Sequence, residues 1–323
     1  MDKSEAAKLM NELGRSCIPF LFVIDFKAMR PIVYRLDEVD PRNLLYSING
    51  FTNSSSLVDA SEALSFNPSP ISAKEYSLKF NEVMKQIELG NTYLLNLTCP
   101  TKISTNLGLK NIFERSKAKY KLRLFDSFVV FSPESFITIN DRIIASFPMK
   151  GTIDASVENA EQVILNDHKE IAEHYTIVDL IRNDLNMVSK EVRVERFRYI
   201  EKLKTSRGEL IQVSSKITGR LDRGYNEHIG DILFTLLPAG SISGAPKNKT
   251  VEIILKTEAY DRGYYTGVFG YFDGQKLDSG VMIRFIEKTP DGLIYKSGGG
   301  ITYFCQMQSE YREMKAKVYV PII

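Results

Sequence analysis

The sequence predicts an α+β fold, and three observations lead to that class. Apolar residues recur at helical spacing in several segments, most clearly within 72–90 and 157–188. Short apolar or alternating runs are joined by tight turns such as Asn140-Asp141 and Asp273-Gly274, which is typical of antiparallel hairpins. Helices and strands do not alternate strictly along the chain, as a sheet built from parallel βαβ units would require.

The N-terminal elements come from caps, breakers and periodicity. A short helix is predicted over 5–13, ending at Gly14, and a strand over 17–26. Residues 49–70 are rich in Asn, Ser and Pro and predict a linker or mobile loop. Ser72 and Glu75 form a capping box, and the helix that they open should end at Gly90.

The remaining elements follow from alternation and helical spacing. A long helix over 157–188 should break near Asn166-Asp167, and another should end before Pro238. Pro246 suits the first turn of a further helix, and the last helix should span about 306–318. Strands are predicted over 92–98, 127–131, 135–139, 142–147, 191–199, 210–221, 266–272, 280–287 and 293–296.

Composition limits the classes of function. The chain has 323 residues, 43% of them hydrophobic, so it can form one large core or two closely packed lobes. A net charge of +2 supplies no field for nucleic acid or a membrane surface. Cys17, Cys99 and Cys305 are widely spaced, which argues against a disulfide framework or a zinc site. With a polar N-terminus, these features predict a cytoplasmic protein.

One lysine stands at a position suited to chemistry. Lys150 follows Pro148 and precedes Gly151, right after an apolar run, so the strand should end there. A lysine at a strand end can point into a cleft, where desolvation or a nearby cation would lower its pKa and make the amine a nucleophile. Taken alone, a solvated surface lysine is the commoner alternative.

Two pairs of carboxylates are each spaced three residues apart on a predicted helix, so that each pair shares a face. The pairs are Glu170 with Glu173 and Glu310 with Glu313. Hard oxygen ligands without nearby Cys would suit Mg²⁺. The alternative is solvated salt bridges, because Lys169 and Glu173 are four residues apart, as are Glu313 and Lys317.

Two glycine-containing segments and one arginine point to an anionic ligand. Gly298, Gly299 and Gly300 could turn consecutive N–H groups into an anion nest. Ser241 lies in a second small-residue loop that runs into a helix N-terminus. Arg284 is predicted inside an apolar strand, either at an edge or buried and awaiting a carboxylate. Together these features suggest a small polyanion bound with Mg²⁺.

In order along the chain, several blocks resemble the chorismate-utilising enzymes, which include component I of anthranilate synthase and of aminodeoxychorismate synthase and the isochorismate and salicylate synthases. The similarity runs from about residue 70 to the C-terminus. The blocks are Ser132-Pro133-Glu134-Ser135-Phe136, Pro148-Met149-Lys150-Gly151-Thr152, the segment 173–185 (EHYTIVDLIRNDL), the segment 237–247 (LPAGSISGAPK), the segment 262–267 (RGYYTG) and Gly298-Gly299-Gly300-Ile301.

The resemblance implies a fold of two antiparallel sheets packed face to face with helices outside, and a site in the cleft between the sheets. Residues 71–323 would form the chorismate-binding catalytic domain, with 1–70 an N-terminal strand and loop region of the same fold. The resemblance also implies roles for single residues. Glu173 and Glu313 would bind Mg²⁺, with help from Glu170 and Glu310. The enolpyruvyl carboxylate would be held by Arg284, Tyr265 and Lys317, the other carboxylate would face the glycines 298–300, and the ring would lie near Ser241. Glu134 would be the general acid at the C4 hydroxyl.

Within the family, Lys150 and Leu94 favour aminodeoxychorismate synthase component I. Lys150 resembles that enzyme's nucleophilic lysine, where anthranilate synthases usually carry alanine. Leu94 lies on the strand where isochorismate and salicylate synthases have a lysine that activates water. Gln212 replaces a histidine linked to pyruvate elimination, which fits a product that keeps its enolpyruvyl group but would also fit lowered activity. Anthranilate synthase component I and a non-catalytic chorismate-binding relative remain alternatives.

The resemblance also implies a source of ammonia outside this chain. None of the three cysteines is flanked by glycine, as the nucleophile of a class I glutaminase would be. A separate glutamine amidotransferase subunit, or free ammonia, would therefore supply the nitrogen of 4-amino-4-deoxychorismate, a precursor for para-aminobenzoate and folate. The N-terminal region is short compared with many relatives, so no feedback inhibition by tryptophan is predicted.

Overall fold

A computed structural model describes residues 1–55, 63–205 and 208–322. The helices of these residues are α1 (Lys3–Arg15), α2 (Ala73–Glu88), α3 (Leu109–Arg115), α4 (Ala160–Asn166), α5 (His168–Asn186), α6 (Ile229–Leu236), α7 (Gly240–Ser243), α8 (Lys247–Glu258) and α9 (Met307–Ala316). The strands are β1 (Phe20–Ile24), β2 (Ile32–Arg35), β3 (Leu44–Ile48), β4 (Phe51–Thr52), β5 (Phe66–Ser69), β6 (Leu94–Thr105), β7 (Tyr120–Leu124), β8 (Phe128–Ser132), β9 (Ser135–Asn140), β10 (Ile143–Ser146), β11 (Met149–Asp154), β12 (Lys190–Thr205), β13 (Gly208–Arg220), β14 (Gly244–Ala245), β15 (Val268–Phe272), β16 (Leu277–Val281), β17 (Phe285–Thr289) and β18 (Gly292–Ile301).

The strands form two antiparallel sheets. The first has the order β11-β13-β10-β9-β16-β15-β1-β2, with β12 paired to β13. The second has the order β14-β6-β18-β17-β8-β7-β3-β4, with β5 paired to β6. Every pairing between named strands is antiparallel, as the hairpin turns of the sequence predicted.

The two sheets pack face to face through a shared apolar core. Leu21 of β1 and Phe269 of β15 belong to the same buried cluster as Val130 of β8 and Phe285 of β17. Tyr120 of the second sheet meets Phe269 of the first edge to face, with ring centroids 6.4 Å apart. Burying one such side chain stabilises the fold by about 1.5–3 kcal/mol, so this layer binds the sheets firmly together.

The helices lie outside the sheets, and their boundaries follow local sequence signals. The side chain of Asp167 accepts a hydrogen bond from the backbone N–H of Glu170 at 3.0 Å and caps α5. This cap explains the break between α4 and α5, which confirms the break predicted at Asn166-Asp167. It also fixes the first turn of α5, where acidic residues that matter for the site begin.

One predicted strand is wrong in an informative way. The segment 280–287 is not continuous, because β16 ends at Val281 and β17 begins at Phe285. The two strands belong to different sheets, so the chain crosses from one sheet to the other between them. Arg284 lies in this crossover with a positive φ of 55°. The sequence did not indicate this break, because both flanking strands are buried and the apolar residues therefore continue across it.

The segment 49–70 is also more regular than the sequence predicted. It contributes β4, paired to β3, and β5, paired to β6, so these parts belong to the second sheet. Residues 56–62 of this segment lie outside the described residues. Periodicity also did not reveal several short elements, which include α3, β2, β3, β7 and β11, the strand that carries Lys150. Among the described residues, no helix combines the length and the apolar character needed to cross a membrane.

Candidate active site

Lys150 lies at the candidate site, where an edge strand of the first sheet comes close to the second sheet. It is the second residue of β11, at the edge of the first sheet, and its side chain reaches toward β18 of the second sheet. A Cβ atom on Gly300 would lie only 3.0 Å from Lys150 Nζ and 3.4 Å from Leu94 Cδ1. A glycine at position 300 therefore leaves room for the ammonium group of Lys150, beside the side chain of Leu94.

Carboxylates surround this ammonium group. Lys150 Nζ lies 3.3 Å from Glu173 Oε2, and the side chains are only 17% and 7% exposed. Burial lowers the pKa of Lys150, but Glu173 and Glu170 together raise it, and the net shift is upward. The expected lowering of the Lys150 pKa is therefore wrong. The carboxylates that reverse the shift come from α5, which sequence spacing did not place beside Lys150.

The two predicted carboxylate pairs lie on different helices and converge on the same region. Glu170 and Glu173 lie on α5, and a Cβ atom on Gly151 would be 3.2 Å from Glu170 Oε2. Glu310 and Glu313 lie on α9, and a Cβ atom on Gly299 would be 3.6 Å from Glu310 Oε2 and 3.4 Å from Glu313 Oε1. The helices thus present their acidic faces to the strands that carry Lys150 and the glycines.

Three lysines balance these four carboxylates. Besides Lys150, Lys169 Nζ lies 2.7 Å from Glu310 Oε1 and 3.8 Å from Glu173 Oε1. Lys317 Nζ lies 2.6 Å from Glu313 Oε1. The two pairs expected from the four-residue spacing therefore exist, but Glu173 is only 5% exposed and is not a solvated surface residue.

The pKa shifts of the carboxylates follow their surroundings. Burial raises the pKa of Glu170, and the neighbouring charge of Glu173 raises it further. Burial also raises the pKa of Glu313, but the ammonium group of Lys317 outweighs it, and the net shift is downward. Lys317 itself has a lowered pKa, chiefly because it is buried. The site thus brings four carboxylates and three ammonium groups close together, with side chains from 2% exposed at Glu310 to 44% exposed at Glu313.

The donor set is compatible with a hard cation. Glu173 Oε1 is buried and has no hydrogen-bond partner, although Lys169 lies within ion-pair distance. Within residues 1–55, 63–205 and 208–322, no three His, Cys, Asp or Glu side chains are close enough to share one metal ion. Mg²⁺ needs no such cage, because it commonly takes one or two carboxylates and completes its shell with water and substrate. One or two of the four carboxylates would satisfy that mode, and Glu173, whose Oε1 has no hydrogen-bond partner, is a candidate ligand.

Glu134 and Ser241 lie together on another side of the cleft. Glu134 immediately precedes β9, and its burial raises the pKa of its carboxyl group, while a hydrogen bond from Ser241 opposes part of that rise. Ser241 lies in the single turn α7 and not in an extended loop, which corrects the sequence-based expectation. A cavity of about 20 Å³, enough for one water-sized molecule, adjoins both side chains.

The residues expected to hold a carboxylate lie at the crossover between the sheets. Arg284 Nε is buried without a hydrogen-bond partner, and the guanidinium lies 5.6 Å from the ring of Tyr319. Tyr265 is 3% exposed and packs on Phe285. A buried guanidinium with an unused donor favours an anion, because an unsatisfied buried donor costs about 1–3 kcal/mol. The sequence predicted that Arg284 lies inside a strand, but it lies in the crossover between two strands. Its buried Nε agrees with the predicted alternative of a guanidinium that awaits a carboxylate.

The three consecutive glycines do not form a nest. Gly298, Gly299 and Gly300 lie within β18 and pair with Thr98, Leu97 and Asn96 of β6. None of the three has a positive φ, and successive N–H groups of an extended strand point to opposite sides. Their role is steric, since Cβ atoms there would approach Leu97 O, the carboxylates of α9 and Lys150 Nζ.

The sequence analysis did not identify Lys169 and Arg262 as residues that support the site. Lys169 was considered only as an ion-pair partner, yet it joins α5 to α9. Arg262 is 1% exposed and donates to Glu258, to the backbone of Asn96 and to that of Ile242, next to Ser241. The block Arg262-Gly263-Tyr264-Tyr265 was the only sequence signal for a role of Arg262. Its contacts with Asn96 and Ile242 could not be predicted, because these residues are distant in sequence.

The geometry agrees with comparisons to known proteins. Residues 38–322 match the family of chorismate binding enzymes. An uncharacterized PabA-like protein of Haemophilus influenzae is 47% identical over 312 residues, covering 97% of this chain and 95% of that protein. Aminodeoxychorismate synthase component 1 of Salmonella typhimurium is 33% identical over 260 residues, covering 76% of this chain but only 56% of that protein.

A solved structure supports the same architecture. The menaquinone-specific isochorismate synthase MenF of Escherichia coli superposes with a TM-score of 0.74 over 98% of this chain and 81% of that one, at 15% identity. At that identity the likeness concerns the fold alone. The family match covers residues 38–322 and therefore shows family membership as well as fold. The protein belongs to the chorismate-binding enzyme family. The predicted fold of two antiparallel sheets with outer helices is thereby confirmed.

Proposed function

We propose that this protein is component I of an aminodeoxychorismate synthase, which converts chorismate and ammonia into 4-amino-4-deoxychorismate for the synthesis of para-aminobenzoate and folate. The observation that carries the proposal is the position of Lys150. Its ammonium group is buried at the junction of the two sheets, 3.3 Å from Glu173 and beside Gly300. Leu94, close to the same point, offers no group that could activate water.

The first proposed step forms a covalent adduct. Lys150 first loses its ammonium proton to solvent, and the neutral amine then attacks C2 of chorismate. Both ring double bonds shift by one position, from C1=C2 and C5=C6 to C6=C1 and C4=C5, and the C4–O bond breaks. Glu134 donates its proton to the departing C4 hydroxyl, which leaves as water. Burial raises the pKa of Glu134 and keeps its carboxyl group protonated at higher pH, as a general acid requires.

The second proposed step releases the product. Ammonia attacks C4, both ring double bonds shift back, and the bond between C2 and the Lys150 nitrogen breaks. Ammonia gives up one proton in forming the new amine, and that proton replaces the one that Glu134 donated. One ammonia is thus consumed and one water is formed. Two such steps avoid a single difficult displacement, which is the advantage of nucleophilic catalysis.

Substrate carboxylates have matching partners on both sides of the reacting ring. Arg284, with its unused Nε donor, together with Tyr265 and Lys317, is proposed to hold the enolpyruvyl carboxylate. We propose Mg²⁺ as the cofactor, bound by Glu173 and Glu313 with help from Glu170 and Glu310. When bound, Mg²⁺ supplies positive charge that offsets these carboxylates and orients the second carboxylate of the substrate.

A separate glutamine amidotransferase subunit is proposed to supply the ammonia. Cys99 and Cys305 are buried, and Cys17, although exposed, has no glycine neighbour that would form a nucleophile elbow. None of the three thus has the setting of a glutaminase nucleophile. We expect glutamine to support product formation only when such a subunit is added, while ammonium salts support it with this chain alone.

Product analysis by mass spectrometry tests the proposal. Purified protein is incubated with chorismate, Mg²⁺ and excess ammonium, beside Lys150→Ala and, as a matched control, Lys256→Ala, which changes an exposed lysine on α8. We expect a product one mass unit below chorismate from wild type and from Lys256→Ala, and loss of that product in Lys150→Ala. Anthranilate with pyruvate would instead place the chain with the anthranilate synthases, and tight chorismate binding without any product would indicate a non-catalytic relative.

A further inference from the structure

Three lysines lie among the carboxylates of Glu170, Glu173, Glu310 and Glu313, which we call the acidic cluster. Of these three lysines, Lys169 alone has no part in the proposed chemistry. Lys150 is proposed as the nucleophile, and Lys317 as a partner of the substrate carboxylate. Lys169 is 31% exposed at its side chain and lies in the first turn of α5, next to Glu170. It is therefore the one of the three whose ammonium group can leave the cluster without disturbing the reacting atoms.

The contacts of Lys169 join the two acidic helices. Its Nζ lies 2.7 Å from Glu310 Oε1 on α9 and 3.8 Å from Glu173 Oε1 on α5. Both carboxylates are almost fully buried, at 2% and 5% exposure, and Glu173 Oε1 has no hydrogen-bond partner. Two buried carboxylates facing one another repel unless a cation lies between them, and here that cation is the ammonium group of Lys169.

We propose that Lys169 is a resident countercation that occupies the position between Glu173 and Glu310 in the metal-free protein and is displaced when Mg²⁺ binds. The proposal rests on the Mg²⁺ site described under the proposed function. A metal ion and an ammonium group compete for the same oxygen atoms, so binding of one weakens binding of the other. The flexible stem of a lysine lets its head move into solvent, which the exposure of Lys169 permits.

Competition of this kind has a defined consequence for affinity. While Lys169 stays in place, part of the binding free energy of Mg²⁺ is spent on removing it. Replacing Lys169 by a neutral side chain should therefore strengthen Mg²⁺ binding, although it removes a partner of Glu310 and lowers the stability of the metal-free protein. A merely supporting lysine would give the opposite result, because its loss would disorder the carboxylates and weaken the metal site.

The test measures metal binding directly. Isothermal titration with MgCl₂ is carried out on wild type, Lys169→Gln and Lys169→Arg. The control Lys256→Gln makes the same charge change at an exposed lysine 2.9 Å from Glu252 on α8. We expect Lys169→Gln to bind Mg²⁺ about tenfold more tightly, with Lys169→Arg and Lys256→Gln near wild type. Unchanged or weaker binding by Lys169→Gln overturns the proposal.

A second measurement needs no variant. Amine-reactive labelling of the wild-type protein is followed residue by residue by mass spectrometry, with and without Mg²⁺. We expect Mg²⁺ to raise the labelling of Lys169 severalfold and to leave that of Lys256 unchanged, and equal labelling of Lys169 contradicts displacement. If Mg²⁺ binds neither wild type nor any variant, the proposed metal site fails. If it binds wild type normally and Lys169 does not respond, only the displacement proposal fails.

Discussion

Glu134 lies immediately before β9 with its carboxyl group buried beside Ser241. Transfer of a carboxylate out of water is costly, so burial favours the protonated form and raises the pKa. The sequence block that contains Glu134 indicated a role for this residue. Its burial and its contact with Ser241 come from residues about a hundred positions apart, which only the folded chain brings together.

Replacing Glu134 by glutamine should remove the proton donor while keeping the size of the side chain. We expect Glu134→Gln to lower kcat about a hundredfold or more and to leave chorismate binding nearly unchanged. Because the reaction needs Glu134 protonated and Lys150, whose pKa is raised, neutral, the wild-type rate should rise with pH below the raised pKa of Glu134 and level off above it. The rate against pH and the chorismate-induced shift in Tm measure both effects. A variant with normal kcat would exclude Glu134 as the acid.

Lys150 and Arg284 show how far single residues could be interpreted from sequence. The turn residues around Lys150 indicated a strand end facing a cleft, but Lys150 is instead the second residue of a new edge strand, β11, and its side chain reaches toward Gly300 of β18. The direction of its pKa shift was also expected wrongly, because Glu170 and Glu173 lie on a helix that spacing alone could not dock. Arg284 was recognised as a candidate anion ligand, but its place in a crossover became evident only from the two sheets.

At the level of elements, strand β18 needs glycine at two positions for different reasons. A Cβ atom on Gly298 would lie 2.2 Å from Leu97 O, a backbone atom that cannot move without disturbing the ladder with β6. A Cβ atom on Gly300 would lie 3.0 Å from Lys150 Nζ, the far end of a flexible side chain. The first contact concerns the stability of the sheet, and the second concerns the position of the nucleophile.

Alanine substitutions should separate these two roles. We expect Gly298→Ala to lower the free energy of unfolding by about 1–3 kcal/mol, as overpacking does. Gly300→Ala should fold with a Tm close to wild type but lose activity, about a hundredfold, because displacing a reacting group by even 1 Å is costly. Urea unfolding and steady-state rates, measured on both variants, check the prediction. Equal effects on stability and activity in both would contradict it.

The ion pair between Arg262 and Glu258 connects several elements that carry site residues. Arg262 Nη2 lies 2.6 Å from Glu258 Oε1 on α8 and 2.6 Å from Asn96 O on β6. Its Nη1 donates to Ile242 O in α7, beside Ser241. Because the side chains of Arg262 and Glu258 are each only 1% exposed, removing one partner leaves an uncompensated charge in the interior.

We expect Arg262→Met to lower the free energy of unfolding by about 3–5 kcal/mol, since Glu258 would remain buried without its partner. The matched change Lys249→Met removes a lysine 3.0 Å from Glu252 on the exposed face of α8 and should leave stability almost unchanged. Urea titrations of the two variants beside wild type provide the comparison. A stability loss in Arg262→Met no larger than that in Lys249→Met would show that the pair is dispensable.

At the scale of the whole molecule, the proposed site lies where both sheets and two helices meet. A ligand that contacts all of them binds the folded state and not the unfolded chain, so it should stabilise the entire fold. At a ligand concentration a hundred times Kd, the gain in unfolding free energy is about 2.7 kcal/mol. The shift should depend on both Mg²⁺ and chorismate if the metal helps to hold the substrate.

Thermal unfolding tests this dependence. We expect Mg²⁺ and chorismate together to raise Tm by more than the sum of their separate effects, and EDTA to abolish the chorismate effect. Arg284→Ala should keep the response to Mg²⁺ and lose most of the response to chorismate, because Arg284 is proposed to bind only the substrate. A full chorismate shift in the presence of EDTA would argue against a metal-assisted site.

Local signals in the sequence determined the class of fold, most helix boundaries and the residues worth considering. The Asp167 cap, the hairpin turns and the acidic pairs on α5 and α9 all act within a few residues, so spacing alone reveals them. Tertiary structure decided which of these residues meet. Lys150 contacts Glu173, Lys169 contacts Glu310, and the run that contains Arg284 divides between two sheets. These contacts depend on the docking of distant elements, which burial and charge determine together and which no local pattern encodes.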